Sequence, residues 1–186
     1  MNYVKSVDAL VETLKKCDPQ DYVAVASVME IPPADFMKFA HWNQQGYTRN
    51  CIERTEDFEL LLLCWNPGDA TPIHCHGEQR CWVYQVSGTL KEVIYKAYDQ
   101  DHKIPDTTKQ LKAGEVAYMD DSLGFHSLSN TSDAPSMSLH LYAKPIDACT
   151  YYDEELGAFV PSDMRYHSYK GQLINHPKGK AKPALS

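Results

Sequence analysis

The chain has 186 residues, of which 43% are hydrophobic and 23% charged, values that are ordinary for one globular domain. Its formal net charge of -7 argues against broad, salt-driven nucleic-acid binding, although residues 176–186 (HPKGKAKPALS) are locally basic. No apolar run approaches the length of a membrane span, so we expect no membrane insertion.

The first 45 residues are predicted to be helical. Residues 3–16 place valine and leucine at helical spacing between charged residues, which indicates an amphipathic helix rather than a signal peptide. A second helix is predicted to open after Asp18-Pro19 and to run through DYVAVASVMEI, residues 21–31. PPADFMKFA, residues 32–40, predicts a third helix with proline at its entry.

After Gly46 the pattern changes to short strands and turns. YTRNCIER and FELLLLCW predict a β-hairpin, and the turn at residues 66–68 leads into a strand that carries His74 and His76. Further strands are predicted in CWVYQVSGTLKEVIYKAY, GEVAYMDD, GFHSLSN and SMSLHLYAKP, and DQDHKIPDTTK is predicted to be a charged loop. This spacing favours a mainly β protein, an antiparallel barrel or sandwich preceded by α-helices.

No internal repeat or low-complexity linker divides the chain, so we expect a single domain over residues 1–186. Residues 1–45 would form its helical part, residues 46–172 the barrel with a C-terminal segment wrapped over the outside, and residues 173–186 a flexible tail. The six cysteines include no CxxC pair, which is typical of a protein in a reducing cytoplasm.

His74 and His76 are separated by one residue. In a strand both imidazoles would point to one face, about 6 to 7 Å apart, and could grip one metal ion. An isolated His-x-His is also consistent with a polar edge strand. The context favours the metal, because the spacing of Gly68, the two histidines, Cys81 and Gly88 resembles the first motif of the cupin superfamily. Cys81 stands where that motif usually has glutamate.

A looser second cupin-like motif begins at Gly114 and closes with His126 in HSLSN, although Asp120 stands where proline is usual. His126 is the natural third ligand. Three neutral imidazoles leave a bound metal its full positive charge, which suits an anionic ligand from a substrate, such as a thiolate. Imidazole ligands suit zinc, copper and nickel as well as iron, so ligand type alone does not select the metal.

In SMSLHLY, the side chains of Ser138, His140 and Tyr142 would share one face of a strand and Leu139 and Leu141 the other. The simpler interpretation places the leucines inward and the polar residues in solvent. In a barrel whose interior holds a metal, the polar face lines the pocket instead.

The motifs YTRN, HxHxxxxC, SLGFH and SLHLY, in this chain order and spacing, resemble the cysteine dioxygenase family of non-haem iron thiol dioxygenases over roughly residues 5–172. The resemblance implies a cupin-type antiparallel β-barrel, or jelly roll, with Fe(II) held by His74, His76 and His126. It implies oxidation of L-cysteine by O2 to cysteine sulfinic acid, in cysteine catabolism and the routes to taurine and sulfate. It further implies a cytoplasmic monomer whose partners are these small molecules.

The resemblance also implies a protein-derived cofactor. The cysteine matching Cys81 forms a thioether bond to the tyrosine matching Tyr142, and the residues matching Ser138 and His140 hold that tyrosine's hydroxyl. Such a bond would fix the ring beside the open metal positions. The simpler alternative is that Cys81 remains a buried free thiol.

Arg49 in YTRN matches the family residue that binds the substrate's carboxylate, and Tyr47 would be a second contact. Without the resemblance, Arg49 is interpreted more simply as a solvated surface charge. Trp65 resembles a family tryptophan near the thioether site, and a plain core residue is an equally good interpretation. Cys75 is expected to point away from the metal, and Cys149 resembles a cysteine at the pocket mouth.

Three alternative functions remain open. The first is the same chemistry on another thiol such as 3-mercaptopropionate, against which Arg49 argues because dioxygenases of that substrate usually carry glutamine there. The second is a metal-dependent isomerase or hydrolase, which has no use for Cys81 with Tyr142. The third is a non-catalytic metal-binding cupin, which has little need of three intact histidine ligands.

Overall fold

The computed structural model describes residues 3–95 and 104–175. Three short helices occur in these ranges: α1 (Val7–Leu14), α2 (Tyr22–Ser27) and α3 (Pro33–Phe36), with 3₁₀ turns at Pro19–Asp21, Met37–Phe39 and Asp121–Leu123. The predicted helices are present but shorter than expected. Val4 pairs with Met29 in a parallel bridge, so the chain is extended on both sides of α1 and α2. No helix in the described ranges has the length and apolarity that crossing a bilayer requires.

Twelve strands occur in residues 3–95 and 104–175. They are β1 (Thr48–Arg54), β2 (Glu59–Trp65), β3 (Cys81–Ser87), β4 (Thr89–Tyr95), β5 (Thr107–Lys112), β6 (Val116–Met119), β7 (Phe125–Ser129), β8 (Ser136–Tyr142), β9 (Ala148–Asp153), β10 (Ala158–Asp163), β11 (Ser168–Tyr169) and β12 (Gln172–Leu173). A seven-stranded sheet has the order β12-β11-β1-β2-β8-β3-β6, a three-stranded sheet has the order β5-β4-β7, and β9 pairs with β10. The predicted mainly β fold preceded by helices is confirmed, with separate sheets in place of one closed barrel.

The seven-stranded sheet is buried on both faces, which explains the unbroken apolar run FELLLLCW. On one face Leu60 and Leu62 pack in a core with the N-terminal helices. On the other face Leu61, Leu63 and Trp65 pack in a second core that includes side chains of the three-stranded sheet. This second core, between the two sheets, is the interior of the β fold.

Strand β8 alternates between the same two cores. Leu139 and Leu141 pack toward the helices, and Tyr142 belongs to the interior core. All seven residues of β8 are buried, including Ser138 and His140. The interpretation that placed its polar residues in solvent is therefore wrong, and the polar face of β8 is turned into the protein.

The predicted strand through His74 and His76 is wrong. His74 makes only isolated bridges, to His126 and to Tyr151. Pro72 has no N–H to donate to a ladder. After His76 the backbone turns sharply through two residues with positive φ, +59° at Gly77 and +66° at Glu78.

The loop prediction over DQDHKIPDTTK is wrong at its end, because Thr107 begins β5 and pairs with Ile94 of β4. Residues 99–103 of that loop lie outside the described ranges. The predicted outer wrap forms the β9–β10 hairpin, and β11 then pairs in parallel with β1. Of the predicted tail, residue 173 pairs in β12 and residues 176–186 lie outside the described ranges.

Gly88 makes the tight turn between β3 and β4. Its φ of +72° lies in the left-handed region, and a Cβ there would come within 2.9 Å of the Ser136 side chain. Glycine at position 88 is thus required by the close packing of Ser136, in β8, against the turn.

Candidate metal centre and adjoining pocket

Three histidines converge in the interior between the sheets. His74, His76 and His126 each offer one nitrogen, and these nitrogens lie within 4.8 Å of one another. The backbones of His74 and His126 exchange two hydrogen bonds, with N–O distances of 2.9 and 3.0 Å, which sets these two side chains side by side. The group can hold one metal ion.

The surroundings of the three rings fit a metal. Nδ1 of His126 lies 2.7 Å from Oε1 of Glu92, and Nδ1 of His74 lies 3.0 Å from the carbonyl oxygen of Pro72. Nε2 of His126 and Nδ1 of His76 are buried and have no hydrogen-bond partner among the described residues. For His126, a buried open nitrogen on a ring oriented by a carboxylate is the usual arrangement of a histidine ligand.

The protonation state of the rings also fits. Burial lowers the pKa of His74, and burial together with the neighbouring imidazoles lowers the pKa of His76 and of His126 well below the ordinary value. The rings are therefore neutral near pH 7, which is the form that binds a metal ion.

Two carboxylates that the sequence analysis missed position these ligands. Glu92 on β4 is fully buried between His126 and Lys109, whose Nζ lies 2.9 Å from Oε2. Asp121 accepts hydrogen bonds from the backbone N–H of His76 (2.8 Å) and of Glu78 (2.7 Å), and so holds the turn after the HxH segment. The signal for Glu92 is its place on the same strand face as buried Leu90.

Cys81 and Tyr142 are neighbours on two adjacent strands. They are directly paired in the antiparallel ladder of β3 and β8, and both side chains are buried in the interior. Burial raises the pKa of the Cys81 thiol and a hydrogen bond with Tyr142 opposes this rise. Burial likewise raises the pKa of Tyr142 well above its ordinary value. The Tyr142 ring centroid lies 5.9 Å from that of His76, so this pair borders the candidate metal centre.

A hydrogen-bonded chain lies behind Tyr142. Trp65 Nε1 donates to Ser138 Oγ at 2.9 Å, and Ser138 Oγ lies 2.8 Å from Nε2 of His140. The rings of His140 and Tyr142 are nearly parallel at 6.4 Å, and Nδ1 of His140 has no hydrogen-bond partner among the described residues. Burial lowers the pKa of His140 to about 3, so its ring is neutral. Trp65 thus has a polar contact in addition to its place in the core.

Arg49 is buried, with 4% of its surface exposed, so the interpretation as a solvated surface charge is wrong. Both of its Nη atoms are buried and lack a hydrogen-bond partner among the described residues. Its backbone is held by His167, whose Nδ1 accepts a hydrogen bond from the backbone N–H of Arg49 at 3.0 Å. Tyr47 is buried beside it and stacks on Trp65 at 4.7 Å.

One pocket joins the arginine to the histidines. Its walls come from β1, β2, β8, the HxH segment and the C-terminal hairpin, and are lined by Tyr47, Arg49, Leu63, Thr71, Pro72, His74, His76, Leu128, His140, Tyr142, Ile146, Cys149 and Met164. The predicted carboxylate contacts, two of the predicted metal ligands and Tyr142 therefore share one cavity. Cys149 lines it, with Sγ 3.3 Å from Met164 Sδ. Cys75 does not line it, and its N–H binds the Thr150 carbonyl oxygen.

The fold and the site together define a mainly β protein whose interior carries a candidate three-histidine metal centre beside a buried guanidinium whose Nη atoms have no hydrogen-bond partner among the described residues. The family model described as cysteine dioxygenase type I matches residues 2–155. The chain belongs to this family. The cupin-type fold expected from the sequence is confirmed.

Curated relatives carry the same family name. The chain is 32% identical over 179 residues to cysteine dioxygenase type 1 of Danio rerio, covering 90% of this chain and 89% of the relative. It is 33% identical over 156 residues to cysteine dioxygenase type 1 of Rattus norvegicus, covering 82% and 78%. A crystal structure of a Thermus thermophilus protein matches with a TM-score of 0.50 and 19% identity, over 59% of this chain and 94% of that protein, a likeness of fold alone.

Proposed function

We propose that this protein is an Fe(II)-dependent cysteine dioxygenase that converts L-cysteine and O2 to cysteine sulfinic acid. The observation that carries the proposal is the buried Arg49 guanidinium, whose Nη atoms are unpartnered among the described residues, in the same pocket as His74 and His76. The carboxylate of Glu59, with Oε2 3.7 Å from Nη2, is too far away for a hydrogen bond, so the buried guanidinium still needs an anion that completes its hydrogen bonds. The carboxylate of an amino-acid substrate would do so.

Arg49 binds the substrate by its carboxylate. A guanidinium donates two parallel hydrogen bonds to a carboxylate, and burial strengthens such a charge-assisted pair. Tyr47 is on the same side of the pocket and stays protonated, because burial raises its pKa, so it can donate a further hydrogen bond. These contacts leave the substrate's thiol directed away from Arg49, toward the histidines.

His74, His76 and His126 would hold Fe(II), which would supply the redox chemistry for the reaction of O2 with a thiolate. The overall reaction adds both oxygen atoms to one sulfur, RSH + O2 giving RSO2H. Sulfur loses four electrons and O2 gains them, so no further reductant is needed. Burial keeps the three imidazoles neutral, so they would hold the ion without cancelling its positive charge.

Cys81 and Tyr142 form a thioether between Sγ and the ring. An S–H and a ring C–H bond break and an S–C bond forms, with O2 taking up the two electrons and two protons. The bond removes the rotational freedom of the Tyr142 ring, so its hydroxyl stays at one place beside His76 and can donate to the reacting groups. Ser138 and His140 support that ring from behind.

We further propose that the protein acts in the cytoplasm as a monomer, with residues 1–186 forming one domain. The absence of CxxC pairs and the dependence of the proposed chemistry on free thiols favour a reducing compartment. The proposed substrates are the small molecules L-cysteine and O2, for which the pocket has polar and apolar walls.

The proposal is tested with iron-loaded protein, L-cysteine and ¹⁸O2. We expect consumption of O2 and a sulfinate that carries two labelled oxygen atoms. A sulfinate with one labelled oxygen would show that water supplies the other, and would contradict dioxygenase chemistry. No product with cysteine and full activity with 3-mercaptopropionate would assign the same chemistry to another thiol.

A further inference from the structure

Glu59 is a fully buried carboxylate next to Arg49. Its Oε2 lies 3.7 Å from Nη2 of Arg49, and the side chains are 0% and 5% exposed. This separation is too long for a hydrogen bond, and Oε2 has no hydrogen-bond partner among the described residues. A buried guanidinium and carboxylate normally close to about 2.7–2.9 Å. Something holds these two apart.

The other oxygen of Glu59 is engaged from the opposite side. Nη1 of Arg54 donates to Oε1 at 3.1 Å, and the hydroxyl of Tyr166 donates to the same oxygen. Arg54 is itself held by two contacts, Nη1 to the Tyr166 oxygen at 2.7 Å and Nη2 to Asp147 Oδ1 at 2.7 Å. Burial and the contact with Glu59 raise the pKa of Tyr166, which keeps its hydroxyl protonated as a donor.

We propose that Arg54 and Tyr166 are positioning residues that hold Glu59 back from Arg49, and so keep the Arg49 guanidinium open for a substrate carboxylate. The inference rests on the proposed function of Arg49. Without the contacts from Arg54 and Tyr166, Glu59 rotates toward Arg49 and forms the short ion pair. It then competes with the substrate for the Arg49 donors.

The charges give the direction of the effect. Arg49, Arg54 and Glu59 together carry one net positive charge, which one substrate carboxylate neutralises; Asp147, the other partner of Arg54, is 80% exposed, so solvent screens its charge. Without the Arg54 charge, Arg49 and Glu59 already neutralise each other, and a substrate carboxylate would add an uncompensated negative charge to a buried site. Substrate binding weakens, while the reacting groups at the histidines are untouched.

The test is a double-mutant cycle read by steady-state kinetics with L-cysteine. Arg54→Met should raise KM about 10-fold and leave kcat within about 2-fold, as expected for a loss of uniform binding. Adding Glu59→Gln to Arg54→Met removes the competing anion and should return KM to within about 3-fold of the wild type. Lys170→Met is the matched control. Lys170 pairs at 2.8 Å with Glu53, which precedes Arg54 on β1, and the variant should leave KM unchanged.

Tyr166→Phe provides a second variant that alters no charge. It keeps the ring, which lies 5.8 Å from the Arg49 guanidinium carbon, and removes the hydroxyl that donates to Glu59 and accepts from Arg54 Nη1. We expect KM to rise about 3-fold, in line with the loss of one of two donors.

An unchanged KM in both Arg54→Met and Tyr166→Phe would overturn the inference. So would a raised KM that Glu59→Gln fails to restore, since that result indicates general damage to the pocket. Failure of the proposed function has a different signature: wild-type protein that forms no sulfinate from cysteine, or an Arg49→Ala variant with the wild-type KM.

Discussion

Cys81 on β3 lies directly opposite Tyr142 on β8 in the antiparallel ladder, with both side chains turned into the interior. Residues paired in this way have Cβ atoms about 4.5–5.5 Å apart, close enough for a sulfur to reach an aromatic ring without backbone movement. The strand register thus places the two partners of the proposed thioether beside His76 before any chemistry occurs. It also explains why a cysteine occupies the first position of β3.

The thioether makes a prediction about mass and activity. Protein isolated after turnover with cysteine and O2 should contain a fraction lighter by two hydrogen atoms, and Cys81→Ser should lack that fraction. Cys81→Ser should retain activity lowered by about 10-fold, because the ring keeps its place in the sheet but regains rotational freedom. Intact-mass spectrometry and O2 uptake measure the two effects. Total loss of activity would mean that Cys81 does more than form the bond.

Arg49→Ala should raise KM for L-cysteine by about 10- to 100-fold, the equivalent of a lost charge-assisted hydrogen-bond pair. Arg49→Lys is the matched control. It keeps the charge and loses the bidentate geometry, so its KM should lie between those of the wild type and Arg49→Ala. Steady-state O2 uptake gives both constants. If KM is the same in Arg49→Ala as in the wild type, the arginine does not bind the carboxylate.

Glu92 should control metal affinity without touching the ion. Glu92→Ala leaves Nδ1 of His126 without its partner at 2.7 Å, and should weaken metal binding by about 10- to 100-fold. Titration of the metal-free protein with Co(II), followed by absorbance, measures this affinity directly. Lys109→Met is the control, because it removes the outer ion pair and keeps the contact between Glu92 and His126. Equal affinities in Glu92→Ala and the wild type would contradict the role.

The buried His140 predicts a pH dependence of stability. Its pKa is about 3 in the folded chain and ordinarily 6.5, so between these values the unfolded chain binds a proton that the folded chain does not. The free energy of unfolding therefore falls as the pH falls below about 6.5, by up to ~1.4 kcal/mol per pH unit for this group. Urea unfolding of metal-free protein at pH 7.5 and pH 5 measures the fall.

His140→Gln isolates this contribution. The variant should show a shallower loss of stability between pH 7.5 and pH 5, because one group that charges only in the unfolded chain is gone. The metal-free condition matters, since a bound ion would add its own proton linkage through His74, His76 and His126. An identical pH dependence in the variant and the wild type would mean that His140 is not buried in its neutral form.

Local pattern was sufficient for much of the fold. Alternation and apolar runs predicted the strands around YTRNCIER, FELLLLCW and SMSLHLY, because these strands are buried on both faces and their side chains alternate between two cores. Strand β5 was not predicted, because the residues before Leu111 are polar and charged. Its strand conformation comes from pairing with β4 and not from its own side chains. Helix lengths were overestimated for a similar reason, because the bridge between Val4 and Met29 overrides helix propensity.

The structure brings three predicted site residues together even where their predicted local structure is wrong. His74 and His76 converge with His126 although no strand carries them, since isolated bridges and Asp121 hold that segment instead. Glu92 and Glu59 were missed because a single charged residue in a strand usually lies in solvent, and the one local sign for Glu92, a strand face shared with buried Leu90, does not reveal its partner. Their roles depend on contacts across the sheet and with the C-terminal hairpin, which only the folded chain brings together.

The most direct measurement is the catalytic efficiency of iron-loaded protein with L-cysteine and, side by side, with 3-mercaptopropionate, with the sulfinate products identified by mass. We expect sulfinate from cysteine at a much higher kcat/KM than from the rival thiol, because Arg49 stands where dioxygenases of the rival thiol usually carry glutamine. A higher kcat/KM with 3-mercaptopropionate would contradict the substrate assignment. No O2 uptake with either thiol would contradict thiol dioxygenase chemistry altogether.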